Sequence, residues 1–193
     1  MENNRKVGQA AGTVGSMTLI SRLLGFLRDL VIAMQFGATA AADAFFVAFR
    51  IPNVQRKILA EGAVTAAFIP IFSEVRNKRG DREAWDMTAN LFNILLTILV
   101  TSSLALALFA PLVIMVFAPG FIDEPDKFGL TVHLTRWMAP YLLFIGLAVF
   151  FMGILNTFKV FALPAIAPAL LNICMILAAL LVSPQLDEPI LGL

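Results

Sequence analysis

Histidine and cysteine each occur once in this chain of 193 residues, and that scarcity removes much of the chemistry a small protein can perform. Cys174 has no second thiol for an intrachain disulfide and no nearby histidine with which to share a metal, so inside its apolar run it reads as a small buried hydrophobe. His133 stands beside Arg136 near an expected membrane surface, where a proton relay is the alternative to an ordinary interfacial side chain. The chain also lacks a phosphate-cradling glycine loop, a cluster of metal ligands, and a serine or cysteine nucleophile beside a base. No catalytic residue, no metal and no cofactor is therefore expected. Charge is scarce too: 14% of residues are charged, where a soluble domain has about 25%. The formal net charge of +1 gives no electrostatic basis for a nucleic-acid partner.

Apolar residues make up 60% of the chain, and a chain this short has too much surface to hide them all in a water-soluble core. The expected fold class is all-α, a polytopic transmembrane bundle of about five spanning helices. A span needs about 20 mostly apolar residues. Three uncharged runs satisfy this, Leu91 to Phe117, Met138 to Phe158 and Leu163 to Val182, the last with Pro164 and Pro168 in its first turns. Two earlier stretches carry charge. Arg5 and Lys6 followed by Val7 to Ser21 make a poor signal peptide, diluted by glycine and polar residues and running into Arg22, so this reads as the start of a retained helix. The expected helices are 11–36, 40–72, 88–117, 131–158 and 163–183.

Loop charges support all five. The tail with Arg5 and Lys6, the Glu74–Asp86 loop with Arg76, Lys78, Arg79 and Arg82, and the turn with Lys159 are basic. The connections around Asp123 to Asp126 and around Asp187 and Glu188 are acidic. They alternate sides only if both charged stretches span, which places the N-terminus in the cytoplasm. Trp85 and Trp137 then fall near interfaces. The last residues read as a polar turn entering another apolar segment, so the chain is expected to be part of something longer.

Two expected spans hold eight charges, and each one at the bilayer centre costs roughly 2.5–3.5 kcal/mol on insertion scales. Those that cannot snorkel must face protein or a water-filled cavity. By rise along the helices, Arg22 and Arg56 lie near mid-depth, and Arg28 and Arg50 lie in the outer third, giving two cationic tiers if the helices pack side by side. Asp43, Arg50 and Lys57 are seven apart, and Glu61 follows four beyond, which makes one stripe. Pro52 interrupts it and frees the carbonyl of Ala48; a kink of this kind is tolerated where a helix lines a cavity. A structural alternative has Arg28 paired with Asp29, Asp43 capping the second helix and Glu61 neutralising Lys57. Each helix nevertheless sums to +1, and a surplus of arginine at depth suits an anion such as phosphate, which the guanidinium fork matches.

The runs Ser21-Arg22-Leu23-Leu24-Gly25-Phe26-Leu27-Arg28-Asp29 and Asp43-Ala44-Phe45-Phe46-Val47-Ala48-Phe49-Arg50-Ile51-Pro52-Asn53 resemble the first- and second-helix signatures of the MurJ (MviN) lipid II flippases. Ala118-Pro119-Gly120-Phe121, Ile154-Leu155-Asn156-Thr157, Pro164-Ala165-Ile166-Ala167-Pro168 and Leu171-Asn172-Ile173 extend the resemblance over essentially the whole chain. The family belongs to the multidrug/oligosaccharidyl-lipid/polysaccharide exporter superfamily. The resemblance implies two six-helix lobes around a central cavity, two further helices, and alternating access in the bacterial inner membrane. It implies as partners lipid II, which is undecaprenyl-diphosphate-linked disaccharide-pentapeptide, and membrane lipids. It implies that Arg22, Arg28 and Arg56 hold the diphosphate, that Asp43 is an acid near the outer gate, and that Glu61 helps the gate or pairs with the basic cluster. Arg50, Pro52 and Lys57 fall to gating or supporting roles, Lys57 standing where the family often has arginine. Residues 1–193 would then be an incomplete amino-terminal lobe that needs the missing C-terminal lobe to close a cavity. Export of another undecaprenyl-linked saccharide fits the charge logic equally well. A cation exporter would want a negative cavity, and a non-transporting assembly subunit is a third class. An enzyme acting on polyprenyl diphosphates would need a catalytic set that the solvated acidic loops do not offer.

Overall fold

The computed structural model describes residues 2–37, 39–58, 68–158, 160–186 and 190, with the backbone alone for 2–11, 13, 14, 56 and 162. Every extended element among them is helical: α1 (Glu2–Phe36), α2 (Ala40–Arg56), α3 (Ile69–Arg79), α4 (Asp81–Leu108), α5 (Ala110–Phe117), α6 (Pro125–Thr157) and α7 (Ala162–Leu177). After α7 the chain widens into a π turn over Ala178–Val182 and tightens into a 3-10 turn over Ser183–Gln185. Among the described residues, three helices are long and apolar enough to cross a membrane: Asp81–Leu108, Pro125–Thr157 and Leu163–Gln185. Their outward faces carry Leu104, Leu108, Phe144 and Leu170, large apolar side chains exposed on the protein and at home in lipid. The protein is an all-α membrane protein.

The chain divides into two compact units, Met1–Ala42 with Phe158–Leu193, and Asp43–Thr157. The first is built on α1 and α7. Ser21 and Arg28 of α1 both meet Asn172, and seven residues further on Gln35 donates to the carbonyl of Ala179 at 3.1 Å, so the two helices run in the same direction. Buried positions on the α7 side recur at Ala169, Asn172, Met175 and Ala179, the three-and-four spacing of one helix face. Cys174 lies off that face and is exposed, contrary to its reading as a buried hydrophobe.

In the second unit, the stretch 74–86, read as a basic loop, is helical apart from one residue. Gly80 has φ +92°, a conformation that side-chain-bearing residues rarely adopt, and it alone separates α3 from α4. The ion pair Lys78–Glu74 at 2.7 Å precedes it, and Arg76–Asp81 at 2.7 Å spans it. The run read as one helix over 88–117 is two helices, with Phe109 between α4 and α5. Pro111 explains the break: it has no N–H, so the carbonyl of Ala107 loses its helical donor. Arg136 of α6 takes the vacancy, donating from Nε to that carbonyl at 3.2 Å. Arg136→Met is expected to lower stability by about 1 kcal/mol. In a Pro111→Ala background, where the backbone supplies its own donor, the loss should shrink, and melting temperatures of the four proteins measure the coupling.

Helices α4 and α6 pack antiparallel. Leu99 meets Gly146, Ser103 Oγ donates to the carbonyl of Ala139 at 2.6 Å, and Arg136 reaches Ala107. One apolar cluster joins Phe68, Phe72, Leu95, Leu99, Leu142 and Phe150. Another joins Ile51 of α2 to Leu106, Ala110, Ile114, Val132 and Ala139.

Candidate functional site

In the first unit the candidate site centres on Arg28. Helical spacing puts Ser21, Gly25 and Arg28 on the α7 side of α1, while Arg22 faces away, exposed and without a hydrogen bond or ion pair among the described residues. The Arg28 side chain is 21% exposed and the Asp29 side chain 56%. Arg28 donates from Nε at 3.0 Å and from Nη2 at 2.7 Å to the same Asp29 oxygen, and from Nη1 to Asn172 Oδ1 at 2.9 Å. Three of the five guanidinium donors are thus engaged among the described residues, leaving two for an oxyanion. The Arg28–Asp29 pair of the structural alternative exists, but it does not exhaust the arginine.

In the second unit, α2 presents Asp43 and Arg50 outward, while Ala44, Phe45, Ala48, Ile51 and Pro52 are buried. Thr39 caps α2, its Oγ accepting from the Ala42 N–H at 3.3 Å, so Asp43 does not serve as the cap. Asp43 instead accepts from Lys127 Nζ at 2.9 Å. Arg50 lines a cavity of about 360 Å³ with Val47, Val54, Val116 and Phe117. Beside the buried Pro52, Asn53 Nδ2 donates to the carbonyl of Phe49 at 2.9 Å, and Tyr141 donates to Asn53 Oδ1 at 3.4 Å. Lys57 is exposed in the π turn that follows α2. The Arg56 backbone ends α2, and its side chain lies outside the described residues, as do Glu61 and Gly62. His133 is exposed and accepts from Trp137 Nε1 at 2.9 Å.

Three polar residues with defined partners were missed in the sequence. Lys127 reads as a loop charge, yet it sits at the start of α6, 4.2 Å from the Phe121 ring centroid. Arg136 reads only as a neighbour of His133. Asn172 had a visible signal: a polar amide within the uncharged run 163–182, where lipid offers it no partner.

Residues 32–193 match the family model described as lipid II flippase MurJ. A protein named lipid II flippase MurJ from Burkholderia cenocepacia is 42% identical over 185 residues, covering 94% of this chain and 35% of that protein. Proteins named probable lipid II flippase MurJ from Rhizobium tropici and Vibrio cholerae are 40% and 38% identical, over 86% and 93% of this chain and 31% and 36% of their own lengths. The chain spans roughly a third of the length of these curated relatives.

Proposed function

The chain belongs to the lipid II flippase MurJ family, and from that premise we propose that it forms part of the amino-terminal lobe of a transporter that moves lipid II from the cytoplasmic to the periplasmic leaflet of the bacterial inner membrane. The observation that carries the reading is the identity with proteins of that name across nearly the whole chain. Transport, rather than catalysis, is the activity. Arg22, Arg28 and Arg56 neutralise the diphosphate, whose charge could not otherwise enter a low-dielectric passage. The polyprenyl tail stays in lipid. Asp43, Arg50, Pro52, Lys57 and Glu61 support or gate, with α2 flexing near Pro52. Movement requires the diphosphate to bind one state more tightly than another.

Helix direction supports five spans, and the basic loops are the reason to put the N-terminus in the cytoplasm. If α1 and α7 cross in the same direction, the chain must cross an odd number of times between them. The helices α4 and α6 supply two crossings. The third then falls to the stretch 40–72, charged as it is.

Rescue of cells depleted of their own lipid II flippase tests the proposal. The complete gene product should restore growth, and Arg28→Ala, expressed to the same membrane level, should not. Rescue by both proteins would remove Arg28 from the site. No rescue by well-expressed wild type would favour another undecaprenyl-linked saccharide.

A further inference from the structure

We infer that Asn172 is a positioning residue for substrate recognition: its neutral amide holds the Arg28 guanidinium in the orientation that receives the diphosphate. The inference rests on the proposed role of Arg28. Asn172 is 6% exposed, and each end of its amide has one partner on α1. Oδ1 accepts from Arg28 Nη1 at 2.9 Å, and Nδ2 donates to the carbonyl of Ser21 at 3.1 Å. Arginine only donates and a carbonyl only accepts, so a single orientation of the amide satisfies both. Gly25 lies beside the amide, where an added Cβ would stand in ordinary contact, 3.5 Å from Asn172 Nδ2. The amide therefore keys onto two turns of α1 at once. Asp29 holds the Nε and Nη2 side of the guanidinium while Asn172 holds Nη1, so the plane is fixed from two directions.

The chemistry of the second holder matters. One carboxylate, 56% exposed, already offsets part of the charge on Arg28. A second carboxylate in place of Asn172 would hold the guanidinium at least as firmly and would also compete with the diphosphate for it. An amide orients without neutralising. The fixed guanidinium loses less freedom when it meets a planar pair of phosphate oxygens.

The two roles separate in a binding experiment on the complete gene product in detergent. Undecaprenyl diphosphate is the probe, and melting temperature is recorded alongside affinity. Asn172→Leu removes both amide contacts and should weaken binding about tenfold, the scale of one hydrogen bond to a charged group. Asn172→Asp keeps the volume and the acceptor, so it should keep the melting temperature better than Asn172→Leu while weakening binding more. A purely structural role predicts the opposite order for binding. Adding either change to Arg28→Ala should produce no further loss of affinity. If Arg28→Ala binds like wild type, the reading of Arg28 fails and takes this inference with it. If Arg28→Ala weakens binding but Asn172→Asp does not, the reading of Arg28 stands and Asn172 is not a positioning residue. Should Asn172→Leu fail to fold, Asn172→Asp alone decides: affinity equal to or above wild type overturns the inference.

Discussion

Gly146→Leu is expected to separate α4 from α6 and to leave little folded protein in the membrane. Even a methyl group at this position has no space: an added Cβ would lie 2.6 Å from Leu99 Cδ2, 2.7 Å from Cδ1 and 3.2 Å from Cγ. Leu99 is 0% exposed and belongs to the cluster with Leu95, Leu142 and Phe150, so it cannot swing aside. Gly146→Ala gains about 1 kcal/mol of helix propensity. Overpacking opposes it with about 1–3 kcal/mol, so the net effect is a loss. The branched four-carbon side chain of leucine multiplies the overlap. Close approach through glycine is how membrane helices pack when lipid is as apolar as their own side chains. The second-site test is specific. Leu99→Ala leaves a cavity and is destabilising alone, by about 2–5 kcal/mol on the scale of soluble cores. Combined with Gly146→Ala, it should cost less than the sum of the two single changes, because the new methyl fills part of that cavity. Additive losses of melting temperature would mean that the two residues do not share the contact.

Asp43→Ala is expected to abolish rescue of flippase-depleted cells and to lower the melting temperature far more than Lys127→Met. The asymmetry follows from burial. The Lys127 side chain is 11% exposed and that of Asp43 59%. Removing the carboxylate strands a covered ammonium, with Glu124 at 3.7 Å as its remaining counter-charge among the described residues. Removing the ammonium leaves a carboxylate with open access to water, which costs little. The double variant Asp43→Ala, Lys127→Met should therefore recover most of the stability lost by Asp43→Ala, while rescue stays absent if the carboxylate itself takes part in gating. If Lys127→Met melts as low as Asp43→Ala, burial does not govern the pair.

Much of the architecture was legible because lipid imposes a strict rule on composition. The uncharged runs in α4, α6 and α7 announce themselves, since backbone groups in hydrocarbon must bond within their own helix. The boundaries were less legible. A single residue, Gly80, separates two helices where the charges of 74–86 suggested a loop; those charges pair along α3, as Lys78 with Glu74, and across the break, as Arg79 with Glu83. The break at Phe109 was hidden inside an apolar run, and Pro111 is its cause.

By itself the sequence determined that this is a helical membrane protein, because composition and the 3.6-residue period are local properties. The seven-residue spacing likewise put Asp43 and Arg50 on one side of α2, whereas Lys57, seven further on, falls in the π turn beyond it. Only the tertiary structure decided what each charge meets. Asp43 finds Lys127 across 84 residues of chain, and Arg28 finds Asn172 across 144. Periodicity states which residues share a face, but the neighbour that covers the face is chosen by packing over the whole chain. A buried polar group then selects its partner by direction as well as distance, and a guanidinium beside an amide oxygen is one such choice.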